Sequence, residues 1–212
     1  FIINPLTQVK VLEDITMANK DAPFGFIPVR MIGGAYFSGG QDEYDIADDY
    51  NTAIFSGDIV ELHTDGTITI GAAGQTNLIG VFNGCNNTTD GGEPTYSKYW
   101  PASQSSSDAK AFVITDPNVV FEAQEDNTEI VSTATHPAQV GSNADFVSTH
   151  AGTTTNGRSK QELDSDTINN AAANLRIIGK STDPDNSDAT AANCNWYCRF
   201  NEHLHYDNAA GI

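Results

Sequence analysis

The chain has 212 residues, with 28 acidic against 10 basic side chains and a formal charge of -18. That balance excludes the positive footprint that non-specific binding to DNA or RNA requires. No apolar run approaches the length of a membrane-crossing helix, and a hydrophobic content of 39% is adequate for a soluble core.

Phe1 to Thr16 mixes apolar and polar residues without a period and reads as an extended arm. It precedes Met17-Ala18-Asn19-Lys20, which has the look of a translation start. Asp21 to Ile32 carries Pro23 and Pro28 around Phe24, Phe26 and Ile27. Two prolines at that spacing bar a regular helix and hold the segment extended. Its large apolar side chains must be covered, either by their own domain or by a neighbouring subunit. We expect the second, with Pro23, Phe24, Phe26, Ile27 and Pro28 as a subunit-binding arm. Residues 1–35 then form the arm and 36–212 a single β-rich core. Gly33 to Tyr50, with Asp42, Glu43, Asp45, Asp48 and Asp49, lacks calcium-loop spacing and reads as a solvated loop.

Ser56 to Gly84 reads as a meander of three strands. Ile59, Glu61 and His63 alternate with Asp58, Val60 and Leu62, which predicts one apolar and one polar face. Asp65-Gly66 is a hairpin signal, because glycine takes φ > 0 without steric cost. Thr67 to Ile70 is β-branched throughout, and Leu78 to Phe82 makes the third strand, thinned by Gly80. Asn83 to Ser107 is a long polar stretch holding the aromatic cluster Tyr96, Tyr99 and Trp100. That cluster is either a platform for a glycan or a plug on the barrel.

Further strands are expected at Lys110–Thr115, Val119–Gln124, Thr128–Ser132 and Leu175–Gly179, with the longest at Cys194–Tyr206. Gln161 to Leu175 holds the one plausible helix, with Asp164 or Ser165 as N-cap and Ile168 facing inward. Cys85, Cys194 and Cys198 are an odd count. Cys194 and Cys198 on one strand lie roughly 13 Å apart, beyond disulfide reach, so free thiols are expected. About ten short strands between turn signals predict an all-β fold, a β-barrel or β-tulip-like sandwich with one short helix and an extended N-terminal arm.

No Gly-x-Ser-x-Gly, His-Glu-x-x-His, phosphate loop or dinucleotide fingerprint is present, and no carboxylate pair stands out for a glycosidase. His203 and His205 share one face of the expected last strand with Asp207, which is thin support for a metal. The sequence therefore predicts a non-enzyme, with no catalytic residue, no metal and no cofactor.

Several blocks, in order, resemble proteins of tailed-phage virions. They are Ala22-Pro-Phe-Gly-Phe-Ile-Pro-Val29, Gly57-Asp-Ile-Val-Glu-Leu62 with Asp65-Gly66, Ile79-Gly80-Val81, Asp116-Pro117-Asn118 to Glu122, Gly141 to Asp145, Leu163-Asp164-Ser165, Leu175-Arg176-Ile177, Asp185-Asn186 and Asn201-Glu202-His203. The resemblance is to capsid cement or decoration proteins. It covers about Met17 to His205, and Phe1 to Thr16 departs from it. It implies a structural virion protein made in a bacterial cytoplasm and bound to the outer surface of an icosahedral head. It also implies the major capsid protein as partner, a homotrimer, and contact with neither nucleic acid nor membrane. The alternative is a virion-surface carbohydrate- or receptor-binding module using Tyr96, Tyr99 and Trp100. A major capsid protein is disfavoured by the short chain and the lack of a long helix.

Overall fold

The computed structural model describes residues 19–89, 91–126 and 139–206. The expected arm at 1–16, the expected strand at 128–132 and Asp207 lie outside the described residues. The first half of the chain forms β1 (Ile27–Met31), β2 (Asp42–Ile46), β3 (Ile54–Phe55), β4 (Ile59–Leu62), β5 (Thr67–Ile70), β6 (Leu78–Thr88), β7 (Pro94–Ser97) and β8 (Tyr99–Trp100). The second half adds β9 (Lys110–Ile114), β10 (Val119–Gln124), β11 (Asn143–Ala144), β12 (Phe146–Val147), β13 (Glu162–Leu163), β14 (Leu175–Lys180) and β15 (Asn195–Phe200).

The fold is all-β, as expected. Strands run in the order β4-β5-β2-β9-β6, and β4 pairs again with β6, so these five close into a barrel; β7 extends β6 beyond it. Strands β1-β10-β15-β14-β11 form an open sheet, antiparallel throughout. Alternation along the barrel strands divides the apolar residues between two cores. Val60, Ile79, Phe82, Ala111 and Val113 fill the barrel, with Trp100 and Ile54. Their neighbours Ile59, Leu78, Val81 and Ile114 point outward against Phe121, Trp196, Cys198 and Phe200 of the open sheet. The expected meander with one polar face is corrected accordingly: Ile59 and Val60 are both fully buried, on opposite faces, because the second sheet covers what a lone barrel would leave wet.

Four further expectations change. Asp42–Ile46 is a barrel strand rather than a solvated loop; Glu43 and Asp45 face outward while Tyr44 and Ile46 pack inward. Strand β6 runs on through the polar stretch to Thr88 and turns back into β7. The expected helix is a single 3-10 turn, Ser165–Thr167, with Asp164 as its N-cap. Asn169, at φ 70, ends it by giving its amide to the Asn143 carbonyl at 3.0 Å. The last strand stops at Phe200, where the amides of Asn201 and Glu202 turn onto the Asn174 carbonyl at 2.7 and 3.2 Å.

The division of the chain at residue 35 also changes. Asn19 donates through Nδ2 to the carbonyls of Asp188, Ala191 and Ala192. The buried amides of Gln124 and Asn186 both hold the Lys20 carbonyl. Phe26, 1% exposed, enters the core between the sheets and meets Phe146 edge-on at 6.2 Å. Residues 27–31 are then the edge strand β1 on β10. Prolines that keep a segment extended suit an edge strand as well as a free arm, so sequence alone does not separate the two.

Candidate functional site: a surface groove

The segment 24–28 borders a surface hollow of about 240 Å³ where the open sheet meets the barrel. Glycine builds this junction. Gly25, at φ +75, crosses residues 57 and 159 so closely that a Cβ there would lie 2.5 Å from the Ser159 Cβ and 2.9 Å from the Gly57 carbonyl. The Phe26 amide donates to that carbonyl at 2.9 Å, and Gly57 in turn donates to the Phe82 carbonyl at 2.8 Å. Phe24, Ile27 and Pro28 are left half-buried along one wall. Lys98 and Arg158 stand on the rim with Asn83.

A second hollow, of about 260 Å³, adjoins the first and shares Asn83 and Lys98 with it. Tyr96 and Phe112 line it, with Tyr96 73% exposed, and the Asn83 amide donates to Gln41 at 2.9 Å. Together the two make one groove. No lining residue of either hollow is acidic, although the chain has 28 carboxylates.

The expected aromatic platform is therefore split. Trp100 is fully buried in the barrel core, and Tyr99 is half-buried and stacks on Phe55 at 5.5 Å with 12° between the rings. These two plug the barrel, because β8 pairs with the inner strand β3. Of the three, Tyr96 alone faces solvent. Of the five expected arm residues, Phe26 belongs to the core, and Pro23 lines a different cleft with Asp21, His150 and Glu162.

In that cleft the His150 Nδ1 and a Glu162 oxygen are 2.6 Å apart, and burial raises the Glu162 carboxyl pKa above its usual range. Asp58 lies under the groove junction, where burial pushes its carboxyl up to about 6 against the lowering pull of the Ser159 hydroxyl and the Phe55 amide. His203 and His205 lie beyond the last strand, which ends at Phe200, and their rings meet edge-on at 5.4 Å. His203 is packed against Phe200 and Tyr206, and burial lowers its pKa to about 4. Among the described residues no group of three His, Cys, Asp or Glu side chains is arranged to hold a metal ion. All three cysteines are free and buried, and burial pushes each thiol up to about 12.

Sequence reasoning missed Lys98, Arg158 and Asn83. A signal was present: 94–107 and 146–161 are free of acidic residues in a strongly acidic chain, and each holds one of the groove cations.

No family model, no curated protein and no solved structure matches this chain.

Proposed function

We propose that the protein is a structural component of a tailed-phage virion that docks on the outer surface of the head and stabilises the capsid lattice. The observation that carries the reading is the groove, a partly apolar strip without a carboxylate on an all-β body of formal charge -18. A docking surface needs an apolar centre that a partner can desolvate, while the rest of the surface stays charged and soluble. The resemblance of the motif order to decoration proteins points the same way. The acidic surface favours the outer face, away from packaged DNA.

Stabilisation follows from mass action, since a protein that binds only the assembled shell shifts the equilibrium towards it. Full burial of a Phe or Ile side chain contributes roughly 1.5–3 kcal/mol, and half-buried ones retain about half of that for docking. A lattice repeats the contact many times, so a modest contribution per copy is enough. A trimer at three-fold positions belongs to this proposal on the resemblance to decoration proteins alone; closed symmetry is the usual way for identical chains to associate.

The test adds purified chain to heads assembled without it and measures co-sedimentation. Wild-type protein should coat the heads at saturable stoichiometry. The double substitution Phe24→Ala and Ile27→Ala should weaken coating at least tenfold. The reading fails if wild-type protein does not bind heads, or if density places it on the inner face.

The carbohydrate reading keeps one supporting observation, the exposed Tyr96 ring beside the Asn83 and Gln41 amides. Glycan-array binding lost on Tyr96→Ala would favour it over docking on the shell.

A further inference from the structure

The two cations of the groove are held together by the backbone. The Ser56 amide is shared between two carbonyls, Lys98 at 2.9 Å and Gly157 at 3.0 Å. That shared hydrogen bond clamps residue 98 against residue 157 and brings Arg158, the next residue, beside Lys98. Gly157 adopts φ +70, and a Cβ on it would lie 2.7 Å from the Lys98 Cβ, so the contact is as close as the chain permits. The Ser159 amide then donates to the Ser56 carbonyl at 2.9 Å, which fixes the far side of Arg158.

Neither cation has a carboxylate within ion-pair distance among the described residues. The other arginines are engaged: Arg176 donates to Asn143 and Asn201, Arg199 to Tyr206, and Arg30 lies over the Tyr197 ring. Lys110 pairs with Asp45 at 2.5 Å. Among the described residues of a chain with a nearly threefold excess of acids, the carboxylates thus stay out of ion-pair reach of two adjacent, exposed cations that flank the groove.

We propose that this groove is the receptor for an extended peptide segment of the capsid surface in which apolar side chains flank a carboxylate. The apolar side chains enter the hollows lined by Phe24 and Ile27 on one side and by Tyr96 and Phe112 on the other. The carboxylate sits between Lys98 and Arg158, with the Asn83 amide at the shared rim. This inference rests on the docking reading above and adds the chemistry of the partner segment. The electrostatic part of such a contact steers and selects more than it tightens, so the two cations set which segment docks. Two cations on so acidic a chain do not make a nucleic-acid surface.

The experiment uses the full chain, ¹⁵N-labelled, and three blocked hexapeptides with the centres Leu-Asp-Glu-Leu, Leu-Asn-Gln-Leu and Leu-Lys-Lys-Leu. The acidic peptide should shift the amides of Asn83, Tyr96, Lys98 and Arg158. Its amide analogue should bind about tenfold more weakly, the sum expected for two exposed ion pairs, and the basic peptide should leave those signals unmoved. The pair Lys98→Glu and Arg158→Glu should invert the order, so that the basic peptide binds and the acidic one does not. A merely structural role for these side chains would not produce that inversion.

Equal affinity for the acidic and amide peptides, shifts confined to another surface, or no shift with the acidic peptide overturns the proposal. Head-coating with the charge-reversed protein separates the two levels. Unchanged coating sinks the carboxylate recognition by Lys98 and Arg158 and leaves the docking reading standing. Peptide binding by a wild-type protein that does not coat heads sinks the docking reading and leaves the groove chemistry standing. Self-association of the wild type that charge reversal abolishes shows the partner to be another copy of the chain, and overturns the assignment to the capsid.

Discussion

Replacing Asp58 by Asn should make the free protein more stable at neutral pH. Asp58 is 1% exposed, and its Oδ2 accepts the Phe55 amide at 2.7 Å. Burial raises the folded-state pKa from 3.8 to about 6. The proton is therefore bound more tightly in the folded state than in the unfolded one. The stability this contributes is fully present below pH 3.8 and is lost as the pH rises through about 6. A shift of that size corresponds to roughly 3 kcal/mol at 1.36 kcal/mol per unit, and at pH 7 the ionised carboxylate costs about that much. Asn keeps an acceptor for the Phe55 amide, carries no charge, and offers its NH₂ to the Ser159 hydroxyl. Thermal unfolding followed between pH 3.5 and 8 should show the variant above wild type by roughly 5–10 °C at pH 8, with the two curves converging near pH 4. A variant less stable than wild type at pH 8, or a gap that does not change with pH, refutes the electrostatic account and makes the Asp58 carboxylate a net stabiliser.

Phe26→Ala should cost about 3–5 kcal/mol in a denaturant titration, because the ring is part of the inter-sheet core, whereas Phe24→Ala should cost far less. Gly80→Ala should abolish soluble expression or cost more than about 4 kcal/mol. Its Cβ would lie 2.1 Å from the Ile114 carbonyl oxygen at φ +149, while Gly74→Ala, with φ +80 and open space, should cost only about 1–2 kcal/mol. Thiol titration at pH 8 should find three reactive groups per chain in denaturant and none in the native protein, since burial holds all three thiols near 12. The His203 ring resonances should stay at their neutral positions until the pH falls towards 4, followed by NMR titration; a midpoint near 6.5 would show that the ring is hydrated.

Much of the architecture was legible in local pattern. Thr67–Ile70 and Val119–Gln124 form strands over the expected residues, and Asp65 with Gly66 closes the expected turn: its carboxylate accepts from both the amide and the hydroxyl of Thr67. What failed was information that lies between segments. Glu43 and Asp45 looked like loop residues because nothing local says that β5 and β9 lie on either side of them. Gln161–Leu175 carried a helix cap but not the competing acceptor, the Asn143 carbonyl, that draws the chain out of the helix. The groove was invisible for the same reason, since its wall residues come from near positions 24, 83, 98, 112 and 158. Tyr96 and Trp100 look alike in sequence and end on opposite sides of the barrel wall, because β7 lies on the outer edge of β6 while β8 turns inward to β3.

The position of the N-terminal segment bears on how the proposed docking would work. A loose arm loses conformational entropy when it docks, on the order of 1–2 kcal/mol for each backbone residue fixed. Here that ordering is done in the free protein, as residues 19–22 are tied by Asn19, Gln124 and Asn186, and residues 27–31 are paired with β10. Phe24 and Ile27 therefore face the groove from a rigid frame, and the apolar area they bury on docking is not offset by ordering their own backbone. Stability and docking are linked through one residue, Gly25, whose crossing of Gly57 and Ser159 sets both the entry of Phe26 into the core and the line of the groove wall. Loss of that crossing disturbs the two together, whereas substitutions at Lys98, Arg158 or Tyr96 touch the rim alone. Under the docking proposal, the groove's choice of partner would change without a change in the fold that carries it.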